Sequence, residues 1–169
     1  MAQLDLGIFD RFGDRWCRYF FEIAIRSSEM SKDPSTKVGC VYVNPATRHV
    51  VAMGFNGLPR AVIDDVERYL DRDVKYEIIV HAEANGIAHA ANYGISLAGS
   101  ISFSTFPVCA RCASLMIQAG VYEVYWLTVP PDYKTAPKWV ASNELAKMMF
   151  KEANIAIHEI DRSSFSLTS

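Results

Sequence analysis

No apolar run in this chain approaches the roughly 20 residues that a membrane-spanning helix needs. No block of like charge appears either, since 17 Lys and Arg against 19 Asp and Glu leave a formal net charge of −2. Proteins that coat nucleic acid usually carry a basic face, so the balance argues against that class. It leaves room for a small anionic ligand, because one phosphate needs only a few cations. The opening Met1-Ala2-Gln3-Leu4-Asp5 lacks a basic region followed by an apolar stretch, so no signal peptide is expected and a cytoplasmic location is the default. Cysteine is sparse, with four in 169 residues, and in a reducing compartment Cys17, Cys40, Cys109 and Cys112 are not expected to form structural disulfides. Internal repeats and low-complexity segments are absent.

What remains is an ordinary globular composition, with 50% hydrophobic and 21% charged residues. The length suits one domain over 1–169, with a core from about 10 to 161 and a polar tail, 162–169, expected to fray. Trp16, Phe20, Ile23 and Ala24 recur at helical spacing and predict a helix over about 10–30. The run from Val38 to Val43 reads as a buried strand, and Asn44-Pro45-Ala46-Thr47 supplies a turn into a second strand over 49–53. Residues 57–75 read as an irregular loop with one helical turn or more. A helix is expected over 81–93, stopped by Gly94. Strands are expected over 100–106, 122–128 and 155–160, with helices over 109–119 and 139–153 between them. A hairpin followed by alternating strands and helices predicts a three-layer α/β/α domain on a central five-stranded mixed sheet, its last three strands parallel.

Two short motifs carry chemistry, His81-Ala82-Glu83 and Cys109-Ala110-Arg111-Cys112. Each begins a predicted helix. A catalytic zinc commonly takes three protein ligands and leaves one position open. His81 offers an imidazole and the cysteines offer thiolates, favoured at a helix start by its dipole. Glu83 lies two residues from a ligand, placed to move protons on the open side. His-x-Glu with a later Cys-x-x-Cys is the signature of zinc nucleobase deaminases. A redox dithiol explains the cysteines but leaves His81 and Glu83 without a task. A structural zinc site wants a fourth ligand, and His49, His89 and His158 are poorly placed to supply one. Cys17 and Cys40 read as small buried apolar residues.

Further segments sharpen this. Ser31-Lys32-Asp33-Pro34-Ser35-Thr36-Lys37-Val38-Gly39, Gly54-Phe55-Asn56-Gly57-Leu58-Pro59, Lys75-Tyr76 before His81, and Ile117-Gln118-Ala119-Gly120 after the cysteines together resemble the deoxycytidylate deaminase branch of the cytidine deaminase-like superfamily. The resemblance spans about Ser31 to Ile160. It implies zinc-dependent conversion of dCMP to dUMP and ammonia, feeding thymidylate synthesis. It implies that Asn56 hydrogen-bonds the sugar or base, that the Ala82 N–H meets the base carbonyl, and that Asn85 and Phe106 shape the pocket. Ser31, Asp33 and Lys37 are implied near the nucleotide, with Lys37 or Arg60 on its phosphate. A homo-oligomer, with a hexamer favoured, and dCTP or dTTP as effectors are implied partners. Trp16, Trp126 and Trp139 serve subunit contacts or the core. The sequence departs from the pattern at Val108, where proline usually precedes the first cysteine, at Phe55 for tyrosine, and at Gly86 for alanine. The superfamily core also accommodates dCTP, modified dCMP, a free nucleoside, guanine or tRNA adenosine, and a non-catalytic zinc- or nucleotide-binding module is a further alternative.

Overall fold

Strands buried on both faces read as continuous apolar runs, and this sequence supplies several. In the computed structural model, which describes residues 8–130, 133 and 137–165 (backbone only for 8–14), they form one five-stranded sheet. In chain order the elements are α1 (Ile8–Ser28), β1 (Gly39–Asn44), β2 (His49–Phe55), α2 (Glu67–Leu70), α3 (Arg72–Ile78) and α4 (Ala82–Asn92). There follow β3 (Ile101–Ser104), α5 (Ala110–Gln118), β4 (Glu123–Leu127), α6 (Pro137–Glu152) and β5 (Ala156–Ile160).

The sheet order is β2-β1-β3-β4-β5. The hairpin β1–β2 is antiparallel, β1 is antiparallel to β3, and β3, β4 and β5 are mutually parallel. This is the expected mixed sheet. Alternation along the strands divides the core into two. Val41, Val43, Ile101, Phe103, Tyr125 and Leu127 pack with Phe20, Phe21 and Ala24 of α1. Cys40, Tyr42, Val124 and Trp126 face α4, α5 and α6 on the other side. Helices therefore cover both faces, giving three layers. The steady march β3-β4-β5 requires α5 and α6 on the same face, because both crossovers keep one hand.

Cys17 and Cys40 are buried within the core, and none of the four cysteines forms a disulfide. Trp126 is fully buried, and the half-buried Trp16 packs against the α1-side cluster. No helix among the described residues is long and apolar enough to cross a membrane.

Two expectations need correction. The 57–75 segment carries two short helices in its second half, with the Asp71 carboxylate capping α3 through the Asp73 and Val74 N–H groups. Its pattern misleads because polarity is inverted: Lys75 is buried while Leu70 and Val74 are exposed. The tail does not fray at Arg162. A 3-10 turn, Arg162–Ser164, follows β5, and the Arg162 guanidinium donates to the carbonyls of Thr128 (2.9 Å) and Thr105. Phe165 is buried, its ring 5.1 Å from that of Phe21. The last residues, 166–169, lie outside the described ones.

Candidate active site

Helices α4 and α5 start side by side at one end of the sheet. His81 and Cys109 each occupy the residue just before a helix, in extended conformation (φ −70°, ψ 156° and φ −83°, ψ 162°). Cys112 follows one turn into α5. The Cys109 and Cys112 Sγ atoms lie 3.4 and 3.5 Å from His81 Nδ1. Their three ligand atoms all fall within 4.8 Å of one another. Tetrahedral zinc, with Zn–S about 2.3 Å and Zn–N about 2.1 Å, sets an S···N edge of roughly 3.6 Å, so the donor set fits that ion. The imidazole is held above its ordinary pKa, first by its hydrogen bond with Cys109. Cys109 is held down to about 4, first by the hydrogen bond from Cys112 and then by His81, against burial. Cys112, which keeps that proton and is buried, is pushed up.

Glu83 sits on the first turn of α4, 4% exposed. Burial pushes its carboxyl above the usual range, and the charge of His81 opposes this. Ser104 Oγ, from the end of β3, donates to Glu83 Oε1 at 2.7 Å. Tyr42 Oη donates to the Glu83 carbonyl at 2.9 Å. Gly86 permits this, because a Cβ there would stand 2.7 Å from the Tyr42 ring. An aromatic neighbour therefore favours glycine at position 86.

A cavity of about 550 Å³ opens beside these groups. His81, Ala82, Glu83 and Cys109 line one part of it. Ala82 is the first residue of α4, where a backbone N–H has no helical acceptor. Asp33, Asn56 and Phe106 also line it. Asn56 is heavily engaged: Oδ1 accepts from Val38 N (2.8 Å), while Nδ2 donates to Thr36 O (2.9 Å) and Asp33 Oδ2 (3.2 Å). Only the second lone pair of Oδ1 is left for another donor. Lys75 Nζ donates to Asp33 Oδ1 at 2.8 Å, a buried ion pair. Ser31 lies behind the wall, its Oγ donating to Asn56 O at 2.8 Å. Asn85 also stands off the wall, tying Phe55 O to α4 at 2.8 Å. Lys37 and Arg60 are exposed and not part of the lining, whereas Arg72 is.

The remaining histidines stand apart. His49 is exposed, His89 Nδ1 lies 3.4 Å from Met53 O, and His158 contacts Glu123. Sequence reasoning gave no site role to Lys75, Ser104 or Tyr42, and placed Trp139 in subunit contacts or the core. Their only sequence signal is the pairing of Lys75 with Tyr76 ahead of the histidine. Trp139 lines the cavity, its ring 5.6 Å from that of His81.

A family model, "Cytidine and deoxycytidylate deaminase zinc-binding region", matches residues 14–128. The chain belongs to this deaminase family. Its relatives include a deoxycytidylate deaminase of Mus musculus, 33% identical over 149 residues, covering 85% of this chain and 79% of the mouse protein. A probable deoxycytidylate deaminase of Drosophila melanogaster is 35% identical over 140 residues, covering 77% of this chain and 66% of the fly protein. An uncharacterized deaminase in the luxG 3' region of Aliivibrio fischeri is 33% identical over 145 residues, covering 85% and 92%. In fold the chain is similar to the dCMP deaminase from the cyanophage S-TIM5, with a TM-score of 0.68 at 21% identity over 87% of this chain and 98% of that one. The deaminase family match and the His81, Cys109 and Cys112 cluster agree on zinc as the metal.

Proposed function

We propose that this chain hydrolyses the 4-amino group of deoxycytidylate, releasing deoxyuridylate and ammonia, with His81, Cys109 and Cys112 holding zinc and Glu83 carrying protons. One observation carries the reading: three ligand atoms converge beside a buried carboxylate at the wall of a nucleotide-sized cavity. Support for the substrate comes from family relatives named deoxycytidylate deaminase in mouse and human.

Zinc bound there would lower the pKa of water to about 7 and so supply hydroxide at neutral pH. Glu83 accepts the proton of the attacking water and delivers it to the ring nitrogen N3. As C4–O forms in that step, the carboxylate is free again; it takes the second proton from the new C4 hydroxyl and passes it to the amine, so that C4–N breaks, C4=O forms and ammonia leaves. Ser104 holds one carboxyl oxygen still and leaves the other for this traffic. The Ala82 N–H at the start of α4 meets the base carbonyl, and the Phe106 ring bounds the base. Asn56 and Asp33 contribute to the wall as one hydrogen-bonded unit with Lys75, and Ser31 and Asn85 hold that unit from behind.

Lys75 is already neutralised by Asp33, and Arg72 has no ion pair among the described residues. Arg72 therefore meets the phosphate, with Lys37 and Arg60 further out. Four cysteines without a disulfide suit a reducing compartment such as the cytoplasm. Assembly into a homo-oligomer, a hexamer favoured, and control by dCTP and dTTP belong to the same reading. Light scattering and turnover with each triphosphate check them.

The deciding experiment measures ammonia release from dCMP, dCTP, deoxycytidine, guanine and tRNA, alongside zinc content. Expected is stoichiometric zinc and a kcat/KM for dCMP well above the others. Glu83→Gln should keep zinc and lose roughly 100-fold or more of the rate. Deoxycytidine turned over as well as dCMP would refute phosphate reading.

A further inference from the structure

The peptide groups on either side of Cys109 are both held by consecutive residues of α6. Asn143 Nδ2 donates to Val108 O at 2.8 Å and to Pro107 O at 3.3 Å. Ser142 Oγ accepts from Ala110 N at 3.0 Å. The Val108 carbonyl belongs to the peptide plane entering Cys109, and the Ala110 N–H to the plane leaving it. Planar peptides leave only φ and ψ free between them. Fixing both planes therefore fixes the extended φ −83°, ψ 162° of Cys109, and with it the direction of Cα–Cβ.

These bonds meet real needs. The first N–H groups of a helix lack acceptors within the helix, and Ala110 begins α5. Val108 is fully buried, so its carbonyl has little access to water. Pro107 has its φ set by its ring, but Val108 does not, and the restraint there falls to Asn143. One turn earlier on α6, Trp139 stands against the His81 ring at 5.6 Å. A single helix, outside both metal-binding motifs, thus touches both ligand-bearing segments.

We propose that Ser142 and Asn143 are positioning residues that clamp the Cys109 loop in the geometry zinc requires; this rests on reading Cys109 and Cys112 as zinc ligands. The pair slows metal release and sets the ligand field through the backbone around Cys109, although Asn143 also lines the cavity.

The test follows zinc release to a chromophoric chelator from the wild-type protein and from Ser142→Ala, Asn143→Ala and Asn143→Asp. Loss of such supporting groups typically costs 10- to 100-fold in metal affinity, so release about 10-fold faster is expected. Ser142→Thr, which keeps the hydroxyl, should release at the wild-type rate. Lys147→Ala, on the same helix but bonded to Glu159 and Glu144, should also do so. Cobalt-loaded Asn143→Asp should show shifted absorption bands, a readout that loosened packing elsewhere on α6 does not move. If Asn143→Ala fails to fold, Ser142→Ala against Ser142→Thr decides. Unchanged release and bands in a zinc-replete Ser142→Ala and Asn143→Asp, or equal acceleration in Lys147→Ala, overturns the clamp alone. A wild-type protein without stoichiometric zinc overturns the ligand reading and the clamp together.

Discussion

Ser104 Oγ lies 2.7 Å from Glu83 Oε1 and donates to it, with the serine fully buried and the carboxylate nearly so. The bond joins the last residue of a central strand to the first turn of a helix, 21 residues apart in sequence. The carboxyl proposed to take and give protons is thereby held by a neighbour that can donate but carries no charge.

Ser104→Ala should lower kcat for dCMP about 10-fold or more, with zinc content and KM little changed. The reasoning is that a hydrogen bond to an ionised group is worth about 1.5–3 kcal/mol. Ammonia release at saturating substrate, with metal analysis of the same sample, checks it. A parallel rise in KM alone would place the serine in binding.

Gly86→Ala should destabilise the fold by about 1–3 kcal/mol, although alanine is the better helix former by about 1 kcal/mol. The new methyl would press on the Tyr42 ring, whose hydroxyl holds the Glu83 carbonyl at 2.9 Å. Urea unfolding measures the loss, and activity should fall with it. A neutral or stabilising result would mean that the ring moves aside.

Lys75→Met should cost about 3–5 kcal/mol, because it leaves the Asp33 carboxylate buried without its cation. The two side chains are 10% and 1% exposed, so solvent screens the pair little. Adding Asp33→Asn should recover part of the loss. Denaturant unfolding of the two single variants and the double variant gives the coupling directly.

Removal of zinc should lower the melting temperature, and zinc added back should restore it. A ligand at about 1,000 times its Kd stabilises by roughly 4 kcal/mol when it binds only the folded state. Calorimetry before and after dialysis against a chelator checks this. Cys112→Ser should lower the melting temperature of the zinc-loaded protein and blunt its response to the chelator.

Much of this protein was legible in sequence because its signals are local. The apolar runs at Val38–Val43 and Tyr122–Thr128 declare strands buried on two faces, and Gly94 and Gly120 end helices where the chain must turn left-handed, at φ +66° and +76°. His81-Ala82-Glu83 and Cys109 to Cys112 carry their chemistry in their spacing, and each opens the helix expected of it. The helices Glu67–Leu70 and Arg72–Ile78 were harder to see. Periodicity assumes that apolar residues face inward, and there a lysine is buried for the sake of an aspartate 42 positions away.

Residue types and short spacings were therefore enough to set the mixed sheet, its flanking helices and the His81, Cys109 and Cys112 cluster. The folded chain alone could decide which neighbours serve them. Ser104 at the end of β3, Tyr42 against Gly86, Asp33 paired with Lys75, and Ser142 with Asn143 on α6 are brought together across tens of residues. A hydrogen bond depends on distances of about 3 Å and on direction, and neither is written in one dimension. Only packing the helices on the sheet brings those atoms within range.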